Sequence, residues 1–389
     1  MEITKLLRWL SLEGDVLVMV MSVLLLTLGN QMWTRYIPKY LEYLGAGAII
    51  IGFYGSIKKL IEAIYQYLGG IVTDRVGSKN ALILFSLISI LGYVTYYVSQ
   101  SWELLIVGTF LVLVWESMST PAIFSLIGEA LSRSRRAMGF SIQSILKRIP
   151  IIIAPPIGGL LIQTYGLPKG IRMGLLVSIT TTTIAIAVQK KFYTMMKSEE
   201  KPSTANLGEI WRKMNLRLKK LLISDILARI SANMVKVYII LYVMNILGST
   251  SLDFGLLISI QVTTSILSYL PAAKLADIYG RKPFVAATFA FFSLFPLTFI
   301  LIPNANLLPL SFIVAGLREI GEPARKALIV DLAGNEDRGK IIGLYYMIRA
   351  IMNIFAPIMG GFLWTISPGT PFLTAFVIGL TGLLFFMLS

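Results

Sequence analysis

The chain has no cysteine and no histidine among its 389 residues, and only 14% of them are charged. Without cysteine there is neither a disulfide nor a thiolate metal site. Without histidine the commonest metal ligand and the commonest proton carrier near neutral pH are both missing. No conventional hydrolytic triad or metal cluster can be assembled from such a composition, so neither enzymatic chemistry nor a cofactor or metal is expected, and proton movement must rely on carboxylates. No Gly-x-x-x-x-Gly-Lys-Ser/Thr loop is present, so ATP does not drive the protein directly.

Acid is scarce as well: 20 Asp and Glu stand against 35 Lys and Arg, a formal charge of +15. In a soluble domain that excess would point to nucleic acid. Here 56% of residues are hydrophobic and the mean hydropathy is +0.76, so the partner is the lipid bilayer and no nucleic acid is expected.

What the chain has in abundance is long apolar runs. Twelve of them, 15–40, 47–72, 80–99, 102–131, 138–165, 170–189, 218–247, 252–276, 283–302, 307–332, 341–366 and 372–388, approach the ~20 residues needed to cross ~30 Å of hydrocarbon. An even number of spans puts both termini on one side. That side carries Arg75, Lys79, Arg136, the cluster from Lys190 to Lys220, Arg281, Lys282, Arg338 and Lys340, whereas the opposite loops hold little beyond Arg35, Lys39, Lys169 and Arg172. Basic loops choose the cytoplasm, so an all-α integral protein of the cell membrane with both ends inside is expected.

The two halves repeat one another. Gly70-Ile-Val-Thr-Asp-Arg-Val-Gly-Ser-Lys79 returns as Ala273-Lys-Leu-Ala-Asp-Ile-Tyr-Gly-Arg-Lys282, with Asp74 and Asp277 separated by 203 positions. At the same offset Gly52 meets Gly255; at an offset of 202, Glu129 meets Asp331, Arg136 meets Arg338, Lys147 meets Arg349, and Ala154-Pro-Pro-Ile-Gly-Gly159 meets Ala356-Pro-Ile-Met-Gly-Gly361. Two six-helix bundles, residues 1–189 and 218–389, are joined by a polar linker over 190–217. Its second part, with Leu207, Ile210, Trp211 and Met214 among basic residues, reads either as a short interfacial helix or as a solvated connector.

Twelve spans, a six-plus-six repeat, a long central loop and Gly-x-x-x-Asp-Arg-x-Gly-x-Lys between spans two and three resemble the major facilitator superfamily over essentially the whole chain. Ser78 stands where the family usually has Arg; in the second copy Ala273 replaces the opening Gly and Ile278 the Arg. The resemblance implies a pseudo-twofold pair of bundles and a cytoplasmic gate. The gate residues would be Gly70, Asp74, Arg75, Gly77, Lys79, Glu129 and Arg136, repeated by Asp277, Gly280, Arg281, Asp331 and Arg338. Each half thus sets an aspartate, a second acid and an arginine at one face, where pairs that form on closing and break on opening compete with ordinary interfacial salt bridges worth ~0–1 kcal/mol.

Charges inside the spans are costly and should face the bundle interior or water. The bases Lys58, Lys59, Lys147, Arg148, Arg229, Lys236, Arg318, Arg325, Lys326 and Arg349 outnumber the acids Glu62, Glu116, Asp225, Glu319 and Glu322 two to one. Helical spacing pairs Lys58 with Glu62, Arg318 with Glu322, Glu322 with Arg325 and Lys326, and Asp225 with Arg229 as a structural pair. Gln143 and Lys147 share a face of span five, and Tyr346, Arg349 and Asn353 share one on span eleven. With Asn30, Arg35, Lys58, Lys236 and Arg318 these are the candidate cavity residues; for Asn30 and Gln31 the alternative is a hydrogen bond to a neighbouring helix, with solute binding favoured for Asn30. Glu116, alone at the middle of span four, is the first candidate for a proton carrier, or else it is held by Lys147 or Arg148. Glu62, Glu319 and Glu322 are the others.

Ala154-Pro-x-x-Gly-Gly159 resembles the core of an antiporter motif from the drug-exporting branch, with Ala154 in place of the first Gly; a helix that rocks and a purely structural bend both account for it. The expected function is secondary transport of a small organic solute by alternating access, as proton-coupled export of an anionic or amphipathic compound by a monomer. The alternatives are a proton-coupled uptake symporter for an organic anion or sugar, and a non-transporting receptor or lipid-moving protein on the same fold.

Overall fold

The computed structural model describes residues 14–132, 139, 142–193, 207–334 and 338–388, and helix is the only regular structure among them. The membrane explains this, because a backbone with no water to bond must satisfy itself within each segment. The helices are α1 (Gly14–Tyr43), α2 (Ala48–Val76), α3 (Ser78–Val98), α4 (Trp102–Ala130), α5 (Ile142–Tyr165), α6 (Leu167–Phe192), α7 (Leu216–Lys236 and Ile239–Ile246), α8 (Ser251–Tyr279), α9 (Arg281–Leu301), α10 (Leu308–Leu317 and Glu322–Leu332), α11 (Arg338–Ile366) and α12 (Thr370–Met387). A short linker helix, Leu207–Lys213, precedes α7.

Among the described residues nine helices are long and apolar enough to cross a membrane, and α7 makes ten when its two pieces, bent by 45°, are joined. The two remaining segments carry the charges read from the sequence. α2 holds Lys58, Lys59 and Glu62, and α10 is broken between Leu317 and Glu322. The break follows from a close approach: a Cβ on Gly321 would lie 2.0 Å from the Phe284 carbonyl oxygen, and its N–H leaves the helical ladder to bond Thr288 Oγ1 at 2.7 Å.

The repeat is visible in the backbone. Gly77 and Gly280 both have positive φ, 82° and 89°, and each turns the chain between two helices. Only glycine takes that conformation without strain, which is why both copies of the charged string keep it.

The chain folds as two compact units. The first holds Met1–Gly45, Leu60–Lys201 and Thr250–Leu256; the second holds Ala46–Lys59, Pro202–Ser249 and Leu257–Ser389. Each unit includes a piece from the other sequence half. In the first, Tyr36 Oη donates to the carbonyls of Pro155 (2.7 Å) and Ser251 (3.0 Å), and a Cβ on Gly158 would meet Met32 O at 1.7 Å. In the second, Tyr238 Oη donates to the carbonyls of Pro357 (3.1 Å) and Ala48 (3.0 Å), and a Cβ on Gly360 would meet Met234 O at 2.2 Å. Every one of these residues has its repeat counterpart in the other unit. The Ala-Pro-x-x-Gly-Gly strings are thus helix contact surfaces on α5 and α11, whose paired glycines let a neighbouring backbone come within van der Waals reach.

The first unit's core packs Val16, Met19 and Val23 of α1 against Phe85 of α3 and Trp115, Ala122 and Leu126 of α4. The second packs Leu221, Leu222 and Ala228 of α7 against Val285 and Phe289 of α9, Ile329 of α10, Leu344 and Tyr345 of α11, and Phe386 of α12.

Candidate functional site

The densest polar construction lies inside the second unit, around a residue the sequence suggested only as half of a structural pair. Asp225 on α7 is 1% exposed, and its Oδ2 accepts from Arg325 Nη1 at 2.5 Å, Arg349 Nη1 at 3.0 Å and Tyr345 Oη at 2.9 Å. Its Oδ1 faces Arg229 Nε at 3.6 Å and has no hydrogen-bond partner among the described residues. Glu322 completes the network. Arg325 grips it in a fork, Nη2 to Oε1 at 2.7 Å and Nε to Oε2 at 3.1 Å, while Arg229 Nη2 reaches Oε2 at 3.0 Å and Lys326 stands 3.9 Å from Oε1. Forked guanidinium–carboxylate pairs are the strongest hydrogen-bonded ion pairs available to a protein.

The network is not neutral. Three guanidiniums face two carboxylates, and while Arg325 is only 1% exposed, Arg349 and Arg229 are 22% and 29% exposed. Aromatic faces support the outer cations. Arg349 lies over Tyr346 at 4.6 Å from the ring centroid, and Arg229 and Arg318 both lie over Phe292, at 4.9 and 5.4 Å. Asn353 donates to the carbonyl of Arg349 at 2.7 Å and accepts from Asn233 at 2.9 Å, so the expected face of α11 is built as spaced.

In the first unit Glu116 occupies a π-helical turn, Val114–Met118, in the middle of α4. Such turns shift the helix register by one residue and recur at functional sites. The carboxylate interacts electrostatically with Arg35 of α1 and with the buried Tyr93 of α3. Arg35 of α1 is thus a base in electrostatic reach of Glu116 that the sequence, which looked to α5, did not pair with it. Arg35 Nε also reaches Gln31 at 3.4 Å, and Asn30 Oδ1 accepts from Thr34 Oγ1 at 2.9 Å within the same helix.

At the charged turns the structure shows contacts that the sequence did not suggest. Ser78 Oγ donates to Glu129 Oε2 at 3.0 Å, and Ser125 Oγ holds the other oxygen at 2.6 Å. In the second unit Arg281 binds Asp331. Ser78 and Arg281 are repeat counterparts, as are Glu129 and Asp331, so each turn is tied to the end of α4 or α10 through this one position. Replacing Ser78 with Ala should cost about 1.5 kcal/mol, the lower value for a hydrogen bond to a charged group. A lowered thermal midpoint checks this, and an unchanged midpoint would show the contact to be idle.

The Major Facilitator Superfamily model matches residues 5–220 and 221–389. The chain belongs to the major facilitator superfamily. It is a membrane-embedded secondary transporter and not an enzyme. An uncharacterized transporter of the superfamily from Methanocaldococcus jannaschii is 22% identical over 377 residues, covering 92% of this chain and 90% of that one. Multidrug resistance protein MdtG of Escherichia coli is 24% identical over 337 residues, covering 84% and 81%. Among solved structures, a mutant of the nucleoside transporter NupG superposes with a TM-score of 0.79 at 15% identity, covering 96% of this chain and 99% of that one. The peptide transporter POT in complex with sulfate gives 0.75 at 15%, covering 97% and 94%. These last two show the superfamily fold and nothing finer.

Several residues assigned from the superfamily motif sit differently. Lys79 is 8% exposed and pairs with Asp15 at the start of α1 at 2.7 Å, which makes it an internal tie of the first unit. Asp74 and Asp277 are exposed and form no ion pair among the described residues, and Arg338 Nε donates to the Gly334 carbonyl at 2.7 Å. Among the described residues, each unit instead shows a contact from the turn residue to the second acid, Ser78 to Glu129 and Arg281 to Asp331. The reason is reach: an Asp side chain on the outer face of its helix end points to solvent, whereas residue 78 or 281 starts the next helix facing α4 or α10. Arg136 lies outside the described residues. Arg75 is exposed and Gly70 has open space where a Cβ would point.

The expected Arg318–Glu322 helical pair is undone by the break in α10, and Arg318 lies instead over Phe295, 4.3 Å from its centroid. Glu319 accepts from Ser265 of α8 at 2.6 Å. Lys58 and Glu62 are partly buried on α2, Gln143 is buried, and Lys147 and Lys236 are exposed. Sequence reasoning missed Asp225 as a hub and Tyr345 altogether; the surplus of bases within the spans was the one signal that a buried acid had to serve several of them.

Proposed function

We propose that the protein exports an anionic or amphipathic organic compound in exchange for protons by alternating access, residues 1–189 and 218–389 moving as two halves. The observation that carries the reading is the unbalanced network on Asp225 and Glu322, whose guanidiniums exceed its carboxylates and whose Arg229 and Arg349 remain partly exposed. A carboxylate, sulfonate or phosphate on the solute would complete that balance through bidentate contacts, and the rings of Phe292 and Tyr346 would take its apolar part. Asn353, Asn233 and Lys236 lie along the same stretch of α7 and α11 and offer further polar contacts.

Protons are assigned to Glu116. Glu116 stands on an irregular turn at mid-span, where small helix shifts change its surroundings and its interaction with Arg35. Export is favoured by the likeness to a multidrug resistance protein and by the Ala154–Gly159 string. Both termini are placed in the cytoplasm of a cell whose plasma membrane holds the protein as a monomer, and the Ser78–Glu129 and Arg281–Asp331 contacts are assigned to the cytoplasmic gate.

A panel of organic anions and cations is screened by thermal shift, and each hit is followed as flux in liposomes under an imposed pH gradient. Anions should stabilise the wild type, and Arg349→Gln should weaken that response about tenfold, the loss of one charge-assisted contact. Glu116→Gln should abolish acceleration by the pH gradient while leaving binding in place. Stabilisation by cations alone would overturn the substrate class, and gradient-driven flux unchanged by Glu116→Gln would overturn the proton assignment.

A further inference from the structure

We propose that the outer face of the linker helix is a binding surface for anionic lipid headgroups. The helix Leu207–Lys213 is docked by one face: Ile210 and Met214 are 5% and 3% exposed and belong to the second unit's core with Ile341, Leu344 and Tyr345 of α11. Its other face is neither covered nor simply polar. Trp211 is 40% exposed beside the exposed Arg212 and Lys213, and just beyond the helix, at the start of α7, Leu216 is 67% exposed beside the exposed Arg217. Lys219 Nζ lies 4.8 Å from the centroid of the Trp211 ring and draws a further cation to the same place.

A merely solvated connector has no use for an exposed tryptophan and leucine set among bases. Headgroups use both: the indole and the leucine reach the acyl boundary, and the bases meet phosphate. Position agrees, since the linker helix ends just before Leu216, the first residue of α7, a helix read as a span. Charge decides the lipid class. Between Leu207 and Lys220 the sequence sets the single acid Glu209 against Arg212, Lys213, Arg217, Lys219 and Lys220. Each base beside an anionic leaflet favours it by about fivefold, so the three exposed bases Arg212, Lys213 and Arg217 give a preference on the order of 10² over zwitterionic lipid. The docking face belongs to the same core as Tyr345, whose hydroxyl bonds Asp225, so lipid held here steadies the helix that carries the network. The proposal is independent of what the protein transports.

The full chain is placed in nanodiscs whose phosphatidylglycerol or phosphatidylcholine is brominated in turn, at equal mole fraction, and the quenching of Trp211 is isolated by difference with Trp211→Phe. Brominated phosphatidylglycerol should quench Trp211 at least several-fold more than brominated phosphatidylcholine. The preference should vanish in the triple variant Arg212→Gln/Lys213→Gln/Arg217→Gln, which spares both docking residues, and in wild type at about 1 M salt, where charges act only within ~3 Å. Equal quenching by the two lipids, absence of Trp211 quenching, or a preference that survives the triple variant would overturn the proposal. So would an equal change of Trp211 emission on adding inorganic phosphate to the protein in detergent, which would mark a site for the free anion.

Discussion

Asp225→Asn is expected to be the most damaging single charge substitution in the second unit. The carboxylate and the Arg325 guanidinium are each 1% exposed, and Asp225 Oδ2 receives three donors at once. An asparagine offers one acceptor oxygen and turns an amide donor toward Arg229, so the cations are left short of charge in a site that water does not relieve. Breaking a buried pair from one side costs about 3–5 kcal/mol, because the surviving ion stays buried. Arg229→Gln, at a residue 29% exposed, should cost under about 1 kcal/mol, since solvent and the phenyl face of Phe292 already share its charge. The double variant Asp225→Asn/Arg349→Gln removes one charge of each sign and should recover part of the loss, a coupling that contacting residues show and distant ones do not. Survival of monodisperse protein after heating in detergent reads all three. A stable Asp225→Asn would mean that the network is not the structural keystone its geometry describes.

The fold was legible because the membrane simplifies it. Apolar length marks spans, and the repeat fixes their correspondence: Gly77 and Gly280 have positive φ in both copies because the same turn is made twice. The Asp225 network was hidden by the same logic. Under the repeat offsets Asp225, Arg229, Glu322 and Arg325 fall on Ser22, Leu26, Thr120 and Ile123, so comparing the halves finds no counterpart for it. Helical spacing revealed Asp225–Arg229 and Glu322–Arg325, but the bonds that join them cross 93 to 124 residues of sequence and depend on packing that no local pattern encodes. Glu116 shows the converse. Its isolation on its own helix was readable, whereas its π-helical turn and its proximity to Arg35 were not. At the charged turns the motif marked the loops but not the Ser78–Glu129 and Arg281–Asp331 contacts, because spacing along a helix end does not say which side chain faces the next helix.

Gly158→Ala should be nearly as harmful as Asp225→Asn, by a different route. Its Cβ would stand 1.7 Å from the carbonyl oxygen of Met32, a backbone atom that no rotamer change can move aside, so α1 and α5 must separate. Separation also strains the Tyr36 hydroxyl between Pro155 and Ser251, and the adjoining Gly159 already lies where a Cβ would meet Ser251 O at 2.3 Å. Overpacking of this kind costs about 1–3 kcal/mol, and the absence of any yielding side chain puts Gly158 at the upper end. Gly360→Ala repeats the experiment in the second unit against Met234 O at 2.2 Å, and the longer distance predicts a smaller loss. Gly343→Ala, on α11 with open space where its Cβ would point, should instead gain about 0.5–1 kcal/mol from reduced backbone freedom. The thermal midpoints should rank Gly158→Ala below Gly360→Ala, both below wild type, and Gly343→Ala at or above it. If Gly158→Ala melts with Gly343→Ala, the glycine pairs are not close-packed contacts, and a rocking hinge becomes the better account of why the string is written twice.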